Sequence, residues 1–349
     1  MMATKGRIIA AVCAGVILLV SGLATGCAEA GPAGSTPEEG GEVIEWTLDT
    51  YFPLGIYISA GVEEFCDRVN ERAEGGFVIT PVFGSALGVK GPDVATALGS
   101  GTFEADFTAF PYLSGDIPVL GIAGLPTLFK SNFEGFGAHY ILTPYYRSEL
   151  LQRNVRQVGG IWFFPKQCMW SKEPIKTVED LDGKTFRGFS PEATMLLDEL
   201  GVNVISMAMP EVYTALQRGM LDAIVGSTAS AQAVSAWEVL DYGIDVTFSL
   251  ADSGFIVNND AWEALPARYQ VILTEEADRL AAIANSQAVT EEEAGWADLV
   301  SKGITRIAPE PSLAEDMAAA AAPIWDTWGE EKGGTAAEAL DKVRALLGR

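Results

Sequence analysis

Residues 184–192 read Lys-Thr-Phe-Arg-Gly-Phe-Ser-Pro-Glu. Lys184–Gly188 predicts a short strand. Ser190 then suits an N-cap, Pro191 the first helical position and Glu192 the positive end of the helix dipole. That helix should stop at Gly201. Val202–Met207 reads as the next strand, and Pro210–Arg218 as a second helix, again with Pro and Glu at its start and Gly219 after its end. Leu221–Gly226 follows as a third strand. Strand and helix thus alternate from about 170 to 250, the pattern of an α/β unit.

The same alternation holds upstream. Glu45–Tyr51 reads as a strand. Leu54–Ala73 has Ile58, Val62, Phe65 and Val69 at helical spacing and ends at Gly75-Gly76. Phe77–Phe83 is a β-rich run, Pro92–Leu98 a short helix and Ala105–Pro111 another strand. A mostly parallel sheet with covering helices is expected. A Pro- and Gly-rich stretch follows, marked by Pro111, Pro118 and Pro126 and read as loop, before the strand-like Val155–Phe164. Downstream, Pro266 to Lys302 has no internal proline and carries Leu273, Ala277, Leu280, Ala284 and Ala288 on one face. It reads as one helix of about 55 Å, long enough to brace two domains, with Gly295 the expected bend. Ile304–Ile307 and two Ala-rich helical stretches close the chain.

The chain has 349 residues, 48% of them hydrophobic and 20% charged. That permits two domains with a sizeable core. The 47 acidic against 23 basic residues give a formal charge of −24, which argues against nucleic acid and against docking on anionic lipid. With one histidine, His139, a multi-His metal site is excluded. No metal and no cofactor are expected. There is no GxGxxG, P-loop or GxSxG motif.

The N-terminus reads as an address. Lys5 and Arg7 precede the apolar run Ile8–Val20, which is too short to span a bilayer. Residues 1–26 are read as a signal peptide. Ala24-Thr25-Gly26-Cys27 resembles a bacterial lipobox, which makes Cys27 the lipidated first residue; the alternative is an ordinary cleaved signal. Residues 27–43, small, polar and Gly/Pro-rich, are read as the lipidated start and a flexible tether. Cys66 and Cys168 remain. They fall in separate predicted elements, and two buried free thiols are favoured over a disulfide.

Among candidate site residues, Arg187 stands first. It lies at the carboxyl end of a predicted strand, just before a helix N-terminus, where open α/β sheets bind ligands. An arginine there can grip a carboxylate through two parallel hydrogen bonds; a structural salt bridge is the plain alternative. The aromatic groups Tyr51-Phe52, Phe110-Pro111-Tyr112, Trp162-Phe163-Phe164 and Trp170 could wall a pocket, although each alone also fits a core. Acidic runs such as Glu291-Glu292-Glu293 read as solvated faces, and His139 as structural. Paired carboxylates for glycoside hydrolysis are not singled out.

Several stretches carry a family resemblance. Residues 178–187, Val-Glu-Asp-Leu-Asp-Gly-Lys-Thr-Phe-Arg, resemble the "DL-G-K-x-R" segment of TRAP transporter solute-binding proteins of the DctP type. Residues 209–222, Met-Pro-Glu-Val-Tyr-Thr-Ala-Leu-Gln-Arg-Gly-Met-Leu-Asp, are similar to that family's "MP-EVYTALQ-G-VD". Leu125-Pro126-Thr127-Leu128-Phe129 resembles "LPFLF", and Asn259 through Pro266 resembles "N-x-x-W-x-x-LP". The likeness runs from roughly 44 to 310.

The resemblance implies an α/β, two-domain, periplasmic-binding-protein-like fold, with a cleft between the domains and a long helix spanning both. It places 44–164 plus 253–290 in domain I and 165–252 plus 291–349 in domain II. It implies a receptor, not an enzyme, that holds an organic acid through an arginine matching Arg187. The receptor delivers the acid to the small and large membrane subunits of the permease. Sialate- and dicarboxylate-type members often carry a second arginine where this chain has Gln167, with Lys166 beside it, and members often have an asparagine where it has Gly226, followed by Ser227. Gln167, Phe164, Phe110, Tyr51, Gly226 and Ser227 join Arg187 as expected ligand neighbours. Fewer polar contacts and many aromatics suggest a monocarboxylate with an apolar or aromatic body. The expected location is extracytoplasmic, lipid-anchored. Two other readings stay open: a ligand receptor for a sensor, and an extracytoplasmic carboxylate-dependent lyase or hydrolase.

Overall fold

The computed structural model describes residues 43–207 and 209–349. The signal peptide, Cys27 and all of the tether but residue 43 lie outside the described residues.

The chain runs β1 (Ile44–Asp49), α1 (Tyr57–Arg72), β2 (Phe77–Val82), α2 (Val94–Gly99), β3 (Ala105–Ala109), α3 (Asn132–Leu151), β4 (Val155–Phe163) and β5 (Gln167–Ser171). It continues through β6 (Thr185–Gly188), α4 (Pro191–Glu199), β7 (Asn203–Ser206), α5 (Met209–Gln217), β8 (Ala223–Gly226) and α6 (Thr228–Ala233). The last part comprises β9 (Tyr242–Ser249), β10 (Asp252–Asn258), α7 (Asn259–Ala264), α8 (Ala267–Ser301), β11 (Thr305–Ile307), α9 (Pro311–Lys332) and α10 (Gly334–Leu347).

Two sheets result. The first has the order β2-β1-β3-β10-β4, the second β11-β9-β5-β8-β6-β7. In the first, β1 is parallel to β2 and β3, as expected, but β10 enters antiparallel between β3 and β4. β10 belongs to a later part of the chain and returns from the second sheet, which local alternation does not show. The chain crosses between sheets at 164–166, after β4, and at 250–251, before β10. The two crossings are tied by a backbone hydrogen bond from Phe164 N to Ala251 O at 2.9 Å.

The local signals act as read. Ser190 Oγ accepts from Ala193 N at 3.2 Å, with Pro191 at the first helical position. One stretch departs from the reading: α3 lies inside the segment taken as loop. Its buried Ala138, Leu142, Tyr146 and Leu150 fall one helical turn apart, and Pro144 sits on its exposed side.

Helix α8, 35 residues or about 52 Å, lies along both sheets. Its first half shares an apolar core with α1 and the first sheet, through Leu273, Ala277 and Leu280. Its last turns join a second core with Trp170, Ile224 and Val212, where Trp296 lies against Trp170 at 4.6 Å between ring centres. Gly159 lets β4 press on the helix: a Cβ there would lie 2.5 Å from Ala277. Gly295 does the same for α6, since its Cβ would lie 2.6 Å from Thr228. A third core, on the other face, runs beneath both sheets with α2, α3, α4, α9 and α10. Cys66 and Cys168 are free and buried in two different cores. None of the helices among the described residues is long and apolar enough to cross a membrane.

Candidate functional site

In parallel α/β strands, backbone N–H groups and helix starts gather beyond the carboxyl ends, which makes those ends the natural binding edge. The carboxyl ends of β1, β3, β6 and β8 converge here on one cleft between the sheets. The cleft is narrow, with about 30 Å³ of room for water-sized spheres. One wall carries Tyr51 and Phe52 after β1, and Ala109, Pro111 and Tyr112 at the end of β3. The opposite wall carries Arg187 and Phe189 from β6, Met209 at the start of α5, and Ser227 and Ser230 after β8. Phe164, Gln167 and Ala251 close the cleft at the crossings.

Arg187 is only 1% exposed. Its Nε donates to Met207 O at 3.2 Å and one terminal nitrogen donates to the Tyr112 hydroxyl at 3.0 Å. The second bond crosses from one wall to the other. The guanidinium also faces the Phe189 ring, 6.0 Å from its centre. Among the described residues no carboxylate pairs with it, whereas Arg68, Arg72, Arg279 and Arg306 are each paired. A buried cation without a counter-ion is costly, and its open side faces the cleft.

Tyr51 stands edge-on to Tyr112, with ring centres 4.9 Å apart, and stacks at a tilt on Phe52 at 4.0 Å. Burial pushes its hydroxyl well above the usual range; Tyr112 and Asp106 add to that rise and Arg187 opposes it. Gln167 is buried, and its Nε2 donates to Pro165 O at 3.1 Å. Ser227 caps α6 by accepting from Ser230 N at 3.2 Å.

Of the expected neighbours, Tyr51, Phe164, Gln167, Arg187 and Ser227 line the cleft, and Phe110 and Gly226 do not. Phe110 turns into the third core, edge-on to Tyr146 at 5.2 Å. A 3-10 turn over Phe110–Leu113 breaks the strand's alternation, so Pro111 and Tyr112 face the cleft in its place. Gly226 sits behind Ser230, whose Cβ would lie 2.8 Å from an added methyl, and its carbonyl accepts from Trp170 Nε1 at 2.8 Å. Trp162, Phe163 and Trp170 are likewise core residues. Lys166 turns away to Asp245 at 2.7 Å and Glu292 at 3.2 Å, so it does not stand in for a second arginine. Tyr112 enters the sequence reading only as part of an aromatic group that could wall a pocket, and Phe189, Met209 and Ser230 are not singled out there as site residues. Phe189 had a signal, since two positions past Arg187 on an extended chain points the same way.

The model of the family described as bacterial extracellular solute-binding protein, family 7, named DctP, matches residues 55–332. The chain is 28% identical over 248 residues to the "Monocarboxylate 2-oxoacid-binding periplasmic protein all3028" of Nostoc sp., covering 66% of this chain and 64% of that protein. It is 26% identical over 170 residues to a solute-binding protein of Albidiferax ferrireducens, covering 48% and 50%. The matches thus span less than two thirds of these two relatives. Among solved structures, the pyroglutamic acid receptor DctP7 of Bordetella pertussis has a TM-score of 0.83 at 23% identity, covering 86% of this chain and 100% of that one. A TRAP solute-binding protein of Chromohalobacter salexigens with bound D-glucuronate has a TM-score of 0.79 at 19% identity, covering 86% and 99%. Such identities establish a shared fold. With the family match running from the first helix to the end of α9, the chain belongs to the DctP family of bacterial extracellular solute-binding proteins.

Proposed function

We propose that the protein captures an organic acid in the cleft, holds its carboxylate on Arg187 and delivers it to a TRAP-type membrane permease. One observation carries this reading: a buried guanidinium, fixed by Met207 O and the Tyr112 hydroxyl, turned toward the cleft with no carboxylate partner among the described residues. A ligand carboxylate supplies the missing charge. Residues 44–164 plus 253–290 and 165–252 plus 291–349 act as two lobes that close on it, and Cys27 serves as a lipid anchor on the outer side of a membrane.

The walls narrow the ligand class. Apart from Arg187 their polar groups are Gln167, Ser227, Ser230 and the hydroxyls of Tyr51 and Tyr112; the rest is aromatic or aliphatic. A sugar acid would bury several hydroxyls against apolar walls, each costing free energy unless hydrogen-bonded. A small monocarboxylate with one further polar atom fits better. A Nostoc relative is named for 2-oxoacids and a Bordetella structure holds pyroglutamic acid, which makes both classes first choices. Carboxylate-pair hydrolysis would need two acids facing the ligand, and the wall residues are guanidinium, amide, hydroxyl and apolar groups.

The test is thermal shift of the chain from Ala28 against pyroglutamate, pyruvate, other 2-oxo acids, glucuronate and dicarboxylates, after unfolding and refolding to strip retained ligand. A ligand at 100 times its dissociation constant stabilises by about 2.7 kcal/mol. The expected result is a raised midpoint with a monocarboxylate that disappears in Arg187→Ala. A shift that survives the substitution removes Arg187 from the site. Turnover of the ligand would favour the enzyme reading.

A further inference from the structure

Behind the aromatic wall lies a second polar group that does not line the cleft. Asp49 ends β1 and Asp106 lies in β3, and the two are direct partners in the parallel register. Neighbouring strands lie about 4.8 Å apart, so both side chains leave the same face of the sheet side by side. Each residue is 1% exposed, and each has an Oδ1 without a hydrogen-bond partner. Thr108, two residues beyond Asp106 on the same face, is also buried with its hydroxyl unpartnered.

The surroundings of the pair can be named element by element. From β2 the residues on this face are Thr80 and Val82, from β10 Ile256, and α2 covers it with Val94 and Leu98. None of these side chains is charged. Lys90 and Asp93, before α2, are solvent-facing, and Glu104 is turned to Thr47 N. The remaining titratable neighbours lead toward the cleft. Tyr51 feels Asp106 on one side and Tyr112 and Arg187 on the other, and Tyr112 accepts directly from Arg187.

We propose that Asp49 and Asp106 form a proton-binding site that takes up a proton when a carboxylate enters the cleft. Two buried carboxylates side by side cannot both ionise readily. With one proton on the pair, its single negative charge lies behind Tyr51, whose hydroxyl feels both Asp106 and Arg187. A carboxylate bound at Arg187 brings a second negative charge to the cleft side of that ring, and the two charges repel. Protonation of the pair removes the repulsion. The titration follows this arrangement: burial and the neighbouring Asp49 hold Asp106 well above the usual carboxylate range, while burial pushes Asp49 up to about 6 against a backbone hydrogen bond from Thr50.

The sign follows from linkage. Ligand raises the pH at which the doubly protonated pair loses the first of its two protons. Affinity is therefore level below about pH 6 and falls above it, at most tenfold per pH unit for one proton taken up. It levels off again once the pair in the complex has ionised. Organic acids stay ionised across this window, so the dependence belongs to the protein.

This inference rests on the carboxylate-receptor reading, and its test separates the two. Titration calorimetry with pyroglutamate and with pyruvate at pH 7, in phosphate and in Tris, reads proton uptake from the difference in heat between buffers. Wild type should take up close to one proton. Asp49→Asn should take up none, and its dissociation constant should no longer rise with pH. Binding by wild type without proton uptake overturns the proposal. If neither acid binds, the ligand class fails, and the pair is judged on the ligand-free protein. Its infrared spectrum at pH 7 should then contain a protonated-carboxyl band that Asp106→Asn removes. A spectrum the substitution leaves unchanged in that region overturns the proposal.

Discussion

Arg187 has two opposite effects. In the proposed reading it holds the ligand, and it costs stability while the cleft lacks an anion, because its desolvation is only partly offset by Met207 O and Tyr112. Replacing it with an apolar group of similar length separates the effects. Arg187→Met should lower affinity by at least about 100-fold, roughly 3 kcal/mol, while the ligand-free protein gains about 1 kcal/mol or more. Calorimetric titration and ligand-free thermal unfolding check the two halves. Tyr112→Phe keeps the wall and loses only the bond across the cleft; affinity should fall about tenfold, one charge-assisted hydrogen bond. Arg187 was legible because a strand end before a helix cap is a local pattern. Tyr112 was not separable from Phe110, because a turn around Pro111 decides which ring faces the cleft, and strand alternation does not reach through it.

At the level of elements, α8 shows a packing role that a local reading does not reach. Gly295 was expected to bend the helix; it is the point where α6 comes close, with Thr228 where a methyl would go. Gly295→Ala gains about 1 kcal/mol of helix propensity but overpacks this contact, which costs about 1–3 kcal/mol. Net destabilisation is expected in chemical denaturation. Helix α3 was hidden for a related reason. Its Gly135, Gly137 and Pro144 weaken the sequence signal, yet Gly135 is needed where Leu250 and Phe163 press on the helix. The same helix carries Tyr146, whose hydroxyl donates to Asp252 at the head of β10 at 2.9 Å. Burial pushes Asp252 up to about 7. Its folded value thus lies above the unfolded value near 4. The stability this gives is complete below about pH 4 and is lost as pH rises to about 7. Glu276 on α8 is the opposite case. Burial pushes it up, but Arg68, Arg279 and Arg72 hold it down to about 2. Its contribution is present above about pH 4.5 and is lost as pH falls through 2. Unfolding free energy should therefore peak in the mildly acidic range. Asp252→Asn should flatten the decline toward pH 7, and Glu276→Gln the loss in acid. Denaturant midpoints across pH check both.

For the whole molecule, the decisive quantity is charge. In the proposed reading a protein of formal charge −24 captures an anion, so it repels its own ligand at a distance and attracts it at Arg187. The two effects have different ranges. The general repulsion extends over the Debye length, about 30 Å at 0.01 M salt and about 8 Å at 0.15 M. The bond to Arg187 acts at contact inside a buried cleft, where salt screens little. The exposed pair Lys90–Glu211, 3.6 Å apart on opposite sides of the cleft, is worth little, about 0–1 kcal/mol. Salt should therefore act on arrival more than on holding. The association rate of an organic acid should rise several-fold from 0.01 to 0.15 M salt, the reverse of the usual steered encounter, with little change in dissociation. Stopped-flow tryptophan fluorescence with a binding monocarboxylate measures both rates. A falling association rate would mean that the local field of Arg187 reaches beyond the cleft mouth and outweighs the acidic surface. In that case Arg187→Met would abolish the salt dependence as well as the affinity. A rising rate would leave the guanidinium as a contact device, with the acidic surface setting how often an anion reaches it.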